Sequence, residues 1–177
     1  MNMTHIRSIA ERHATWLRLL SFVAIFFGLQ LVWIYLRGTV VEYIVIHDAT
    51  IKPAAYLVNL LTPSVSAQAV RFTLHASGGG LNILNGCEGL EALFLLCAAF
   101  SVAPLRGPER TLGLVLGIAV VFVVNQARIL LLFYAFRTDH SWFDFLHGTV
   151  APIAVVLLVA AYFYAWLFMA SKHARAT

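Results

Sequence analysis

TLGLVLGIAVVFVVNQARILLLFYAF, residues Thr111 to Phe136, is the stretch that decides the fold class. At a helical rise of about 1.5 Å per residue it exceeds the roughly 30 Å hydrocarbon core of a bilayer. Arg128 is the only charged residue within it. Such a stretch reads as a membrane-crossing helix, and the rest of the 177-residue chain has the same character. Apolar residues make up 61% and charged residues 11% of it, against about 45–50% and about 25% in ordinary soluble domains. Together with a mean hydropathy of +0.85, these figures exclude a soluble protein. The length suits a single membrane-embedded domain over 1–177 and leaves no room for a second globular one. The formal charge of +4 comes from 12 Lys+Arg against 8 Asp+Glu. The basic residues are scattered at segment ends, whereas a nucleic-acid binder would carry a basic stripe, so no nucleic-acid partner is expected.

Three further apolar runs flank the central one. Trp16 to Leu36 precedes it, Leu90 to about Val102 is closed by Pro104, and about Val150 to Met169 follows it. The first run ends Trp33-Ile34-Tyr35-Leu36-Arg37 with no small-x-small cleavage site, so it reads as a retained span. Four crossings are therefore expected, over about 16–36, 88–103, 111–136 and 150–169. Lys and Arg in the short flanks set their direction. Arg7, Arg12 and Arg18 precede the first crossing, Arg106 and Arg110 sit between the second and third, and Lys172 and Arg175 follow the fourth. All three sets fall on one side of a four-span chain, which puts both termini in the cytoplasm and the loops 37–86 and 137–149 outside.

Within the long outer loop, residues 40–62 are apolar, but Glu42, His47, Asp48, Lys52 and Pro53 make insertion costly. They read as interfacial helices with Leu57, Leu60 and Leu61 at helical spacing. From Val70 the period changes to two. Val70, Phe72, Leu74 and Ala76 alternate with polar residues, Ser77-Gly78-Gly79-Gly80 interrupts, and Leu81 and Ile83 resume, which predicts a β-hairpin. The fold class expected is an all-α polytopic membrane protein: four transmembrane helices, extracytoplasmic interfacial helices and a small hairpin.

This topology brings three reactive groups to one level. Arg128 lies 17 residues after Thr111, about 26 Å along the helix, near the outer leaflet. Cys87 stands at the outer end of the second crossing and His147 just before the fourth. Ionisable residues inside spans are expensive and by default functional. A thiol at a helix N-terminus beside a cation is placed to ionise and act as a nucleophile. A guanidinium can stabilise the tetrahedral oxyanion and an imidazolium can protonate the leaving amine.

Plainer readings stand beside this one. Arg128 can pair structurally with Glu91, one turn after Cys87, and Asn125 can hold the guanidinium or simply pack. Cys97, ten residues from Cys87 and too far to bridge it, reads as an inert small hydrophobe. Leu84-Asn85-Gly86-Cys87 superficially matches a lipoprotein acylation site but lacks an apolar core directly upstream. His140 lies in the charged loop Arg137-Thr138-Asp139-His140 and reads as solvated. The remaining histidines, His5, His13, His47, His75 and His173, show no metal-ligand spacing, so neither a metal nor a cofactor is expected. Gly113 and Gly117 form a small-xxx-small step that suits close helix packing.

Asn85-Gly86-Cys87-Glu88-Gly89-Leu90-Glu91-Ala92, Asn125-Gln126-Ala127-Arg128-Ile129 and Phe145-Leu146-His147-Gly148 resemble the three signature blocks of the exosortase/archaeosortase family. The NGCxGxEA form and the short length resemble the exosortase H subgroup, and the resemblance covers about residues 70–160. It implies a thiol protease and transpeptidase of the bacterial inner membrane, with its active site on the extracytoplasmic side. Cys87 would be nucleophile, Arg128 oxyanion stabiliser and His147 acid/base, with Asn85, Glu91 and Asn125 in support. The implied partners are exported proteins bearing a C-terminal sorting signal: a short motif, containing Pro-Thr-Leu in this subgroup, then an apolar helix and a basic end. The cleaved protein would pass to a surface acceptor, lipid or glycan, with membrane lipids around the enzyme. Larger members have about eight spans and extra domains that this chain lacks, so the minimal core would rely on partners or only hydrolyse. Phe72 and Ile83 are the residues expected to bind an extended motif added to the hairpin edge. The alternatives are a plain membrane thiol protease and a non-catalytic small membrane subunit.

Overall fold

The computed structural model describes residues 3–77, 79–83 and 86–176, with side chains from residue 12 to 172 within them, residue 140 apart. Helix α1 spans Met3–Leu36. A helical layer follows: α2 (Val40–Tyr43), a π-helix over Ile44–Ile51 and α3 (Lys52–Leu61). Three strands come next, β1 (Gln68–Val70), β2 (Thr73–Ala76) and β3 (Gly79–Asn82). Then come α4 (Leu90–Val102), α5 (Gly107–Thr138), α6 (His140–Phe145), a second π-helix (Leu146–Val150) and α7 (Ala151–Ala176).

Local chemistry sets several of these boundaries. The Thr39 side chain accepts from the Val41 N–H at the start of α2, and Asp139 accepts from the Ser141 N–H at the start of α6. Pro108 lies in the first turn of α5, where its missing N–H is harmless. The Arg106 N–H donates to the Glu109 carboxylate there. Gly89, in a left-handed conformation, starts α4, and Ala103 in extended conformation before Pro104 ends it.

Three helical stretches are long and apolar enough to cross a membrane: Arg12–Leu36, Gly107–Thr138 and the run Ser141–Lys172. The second expected crossing differs. Helix α4 has only 13 residues, about 20 Å of helix against a core of roughly 30 Å. It is nevertheless central, packing against α1, α5 and α7. Close approaches at glycine fix its register on α5. Phe100 lies opposite Gly113, Leu96 opposite Gly117 and Asn125 opposite Gly89, and Arg128 reaches Gly86. Moving back along α4 matches moving forward along α5, so the two helices run antiparallel without slip. At Gly113 a β-carbon would collide with the Trp166 and Phe100 rings, and at Gly117 with Leu96, which is the packing role expected of this pair.

Helix α5 continues about 15 Å past Arg128 and serves there as the wall of a cap. Ile129, Leu132 and Phe133 join Ile51, Ala54, Val58, Leu74 and Ile83 in one buried cluster. Polar ties fasten the cap: Gln126 Nε2 donates to the Thr50 carbonyl at 3.3 Å, Thr62 and Tyr134 share a hydrogen bond at 2.8 Å, and Arg137 donates to the Ser77 carbonyl at 2.7 Å. A second cluster, Ala92, Leu96, Phe100, Val121, Val155 and Val159, fills the bundle below.

Two expectations for the cap change in detail. The helices over 40–62 are present, but Ala54, Ala55 and Val58 face the core, while Leu60 and Leu61 are exposed. The smaller residues pack inward because the layer lies close on α5. The hairpin is the β2–β3 half of a three-stranded antiparallel sheet, ordered β1-β2-β3. Residues 70–76 do not form one strand, because Arg71 takes a left-handed conformation, φ 50°, and folds β1 back onto β2 with Val70 opposite Thr73.

Candidate active site

Cys87 sits in a turn rather than in a helix. Gly86 and Gly89 bracket it with φ of 98° and 82°, conformations that a side chain resists. The Gly86 N–H donates to the Glu88 carboxylate at 2.5 Å. The Gly86 carbonyl accepts from Arg128 Nη1 at 3.2 Å. The turn is thus closed from within by Glu88 and tied to α5 by Arg128. The same guanidinium places Nη2 4.0 Å from Cys87 Sγ, a long contact. Asn125, one turn before Arg128, is buried against Gly89. Its role here is to pack against the α4 entry.

His147 arrives from the other side. It lies inside the second π-helix, within a continuous helical run, and so is not the loop residue that its position before an apolar stretch suggests. The wide turn of a π-helix re-aims side chains and recurs at functional sites. Phe143, one turn earlier, stacks on the imidazole with ring centroids 5.4 Å apart and planes within 5°. The Nδ1 atom of His147 is buried, with no hydrogen-bond partner among the described residues.

Cys87, Arg128 and His147 line one cavity of about 340 Å³. Strand β3 supplies one wall through Gly80, Leu81 and Asn82, with Ile83 just beyond it. Ile129, Leu132 and Phe136 of α5 supply another, and Phe143 stands beside His147. Three segments far apart in sequence therefore deliver thiol, guanidinium and imidazole to one space. Ile83 belongs to that space. Phe72 does not line it and faces the Tyr43 ring, 6.3 Å between centroids. Glu91 is exposed, and among the described residues no ion pair joins it to Arg128. Asn85 lies outside the described residues.

The electrostatics run against a resting thiolate. Helix α4 begins at Leu90, three residues after Cys87, so the thiol is not in its first turn. Burial pushes the Cys87 thiol up, the Arg128 charge pulls it back, and Glu88 and Glu91 push it up again. The net direction is upward, opposite to the ionisation expected from a helix N-terminus.

No protein-family model, curated protein or solved structure matches this chain. Sequence reasoning missed Phe143 as the platform of His147, Gln126 as the tie between α5 and the cap, and Glu88 as the brace of the Cys87 turn. The i, i+4 spacing of Phe143 and His147 is the one local signal that pointed to the first.

Proposed function

We propose that this chain is a membrane cysteine transpeptidase or protease of the exosortase type. Its substrates would be exported proteins with a C-terminal sorting signal, cut on the extracytoplasmic face of a bacterial inner membrane, with both termini of the enzyme in the cytoplasm. The observation that carries the reading is the shared cavity of Cys87, Arg128 and His147, walled by a sheet edge.

In the first step the proton of Cys87 Sγ passes to the His147 imidazole. Sγ then forms a bond to the scissile carbonyl carbon, and the Arg128 guanidinium faces the oxyanion. As the C–N bond breaks, His147 returns the proton to the amine, which leaves with the apolar helix and basic end. A thioester remains on Cys87. A hydroxyl or amine of a lipid or glycan acceptor, or water, attacks it, gives its proton to His147 and releases the thiol.

The edge strand suits the recognition step. The Ile83 N–H donates to the Phe72 carbonyl, which makes 83 and 72 a hydrogen-bonded pair. In an antiparallel ladder such pairs alternate, so the backbone groups of Asn82 and Gly80 point away from β2. Both residues line the cavity. An extended peptide motif can add there as a fourth strand with its carbonyl facing Cys87.

The test is processing of tailed host proteins in cells carrying Cys87→Ala at matched expression and with no second enzyme of this kind. Uncut precursors are expected to accumulate. Unchanged processing by the folded variant would leave a non-catalytic membrane subunit as the better description. Mass analysis of the new C-terminus separates transfer to an acceptor from release as a free carboxylate.

A further inference from the structure

Below the cavity α5, which carries Arg128, and α7, which continues the helical run from His147, border a second, almost wholly apolar groove of about 270 Å³. On α5 it is lined by Val123, Val124, Ala127, Arg128 and Leu131, and on α7 by Ala151, Ala154, Val155 and Leu158. The α7 residues step one helical turn at a time away from His147: first Ala151, then Ala154 and Val155, then Leu158. On α5 the lining runs from Leu131, one turn beyond Arg128, past Ala127 to Val124 and Val123. Arg128 lines both spaces, so the groove adjoins the reactive cavity at that residue. Val123, Leu131 and Leu158 are exposed, and the groove therefore opens sideways to lipid.

We propose that this groove seats the first turns of the substrate's own transmembrane helix, directly below the bond to be cut. The inference rests on the proposed function, which requires an apolar helix a few residues beyond the scissile bond. That helix must lie in the bilayer immediately under Cys87 and Arg128. The α5–α7 groove is a lipid-open space that adjoins the cavity at Arg128. Its floor is small, with Ala127, Ala151 and Ala154, which lets a helix backbone approach closely where apolar attraction between helices is weak. The groove extends over about two turns of each helix, about 12 Å. It thus fixes the upper part of the substrate helix in register with the cavity and leaves the rest in lipid.

The test places a photo-crosslinking benzoylphenylalanine at Leu158, at Val123 and, as a control on another lipid-facing surface, at Leu20 of α1. The full chain also carries Cys87→Ala, so that no turnover is needed. The probe is a secreted reporter bearing the Pro-Thr-Leu-containing tail, an apolar helix and a basic end. Capture of the reporter from Leu158 and Val123 but not from Leu20 is expected. In the otherwise native enzyme, Ala154→Trp, which fills the groove, is expected to lower processing at least ten-fold while Cys87 alkylates at an unchanged rate. Crosslinks to phospholipid alone, equal capture from Leu20, or unimpaired processing by Ala154→Trp would each overturn the docking site. The outcomes separate the two claims. Capture in the groove with Cys87-independent processing sinks the chemistry and leaves the docking, whereas Cys87-dependent processing without capture does the reverse.

Discussion

Asn125 fills the space in which a β-carbon on Gly89 would stand: a Cβ built on Gly89 lies 2.8 Å from Asn125 Cγ. Gly89 is also left-handed, with φ +82°. Together with the close approaches at Gly113 and Gly117, this contact fixes how α5 passes the Cys87 turn, and so helps set the level at which Arg128 meets the thiol.

Gly89→Ala should destabilise the protein by about 2 kcal/mol or more, since a left-handed alanine costs about 1–2 kcal/mol and overpacking adds about 1–3. Thermal unfolding in detergent reads it. Asn125→Ala removes the amide that the new methyl group would strike, so the double variant should recover part of the loss. If Gly89→Ala costs the same with and without the Asn125 amide, steric conflict is not its cause.

Alkylation of Cys87 by a membrane-impermeant maleimide should follow a pH profile whose midpoint lies above that of a free thiol, because burial favours the protonated form. The Arg128 charge lowers the thiol's pKa, so Arg128→Gln should move the midpoint further up. Glu91 raises it, so Glu91→Gln should move it down. A midpoint below the free-thiol range, or shifts of the opposite sign, would contradict this assignment of charges.

Asn82→Pro removes an N–H that points away from β2 and so spares the ladder, while denying a donor to an added strand. It should lower processing about ten-fold or more with little change in stability, whereas Asn82→Ala, which keeps the N–H, should process normally. Phe72→Ala should not impair substrate use, since Phe72 faces Tyr43. Equal behaviour of the two Asn82 variants would count against strand addition.

The long helices were legible because each depends on a local property, a run of apolar residues ended by glycine, proline or charge. The positions of Cys87, Arg128 and His147 near one end of the bundle followed from counting along those runs. The shortness of α4 could be suspected from Pro104, but its central place could not. The broken strand at Arg71 and the inward face of α3 were also hidden, because a period of two or of 3.6 does not say which side finds a partner. The surroundings of the thiol were hidden for a related reason: the sequence puts Cys87 next to a helix start, but the residues that bury it and push its pKa up come from elsewhere in the chain.

Sequence by itself determined that this chain has helices long and apolar enough to cross a membrane, about where the long ones run, and that Cys87, Arg128 and His147 share one end of them. Those facts follow from hydropathy and rise per residue, which act along the chain. Only the tertiary structure decided that Cys87, Arg128 and His147 face one cavity, that a π-turn carries His147 against Phe143, and that an edge strand and an open apolar groove adjoin the same space. These depend on helix rotation and on contacts across the bundle, set by packing at Gly89, Gly113 and Gly117 against partners distant in sequence.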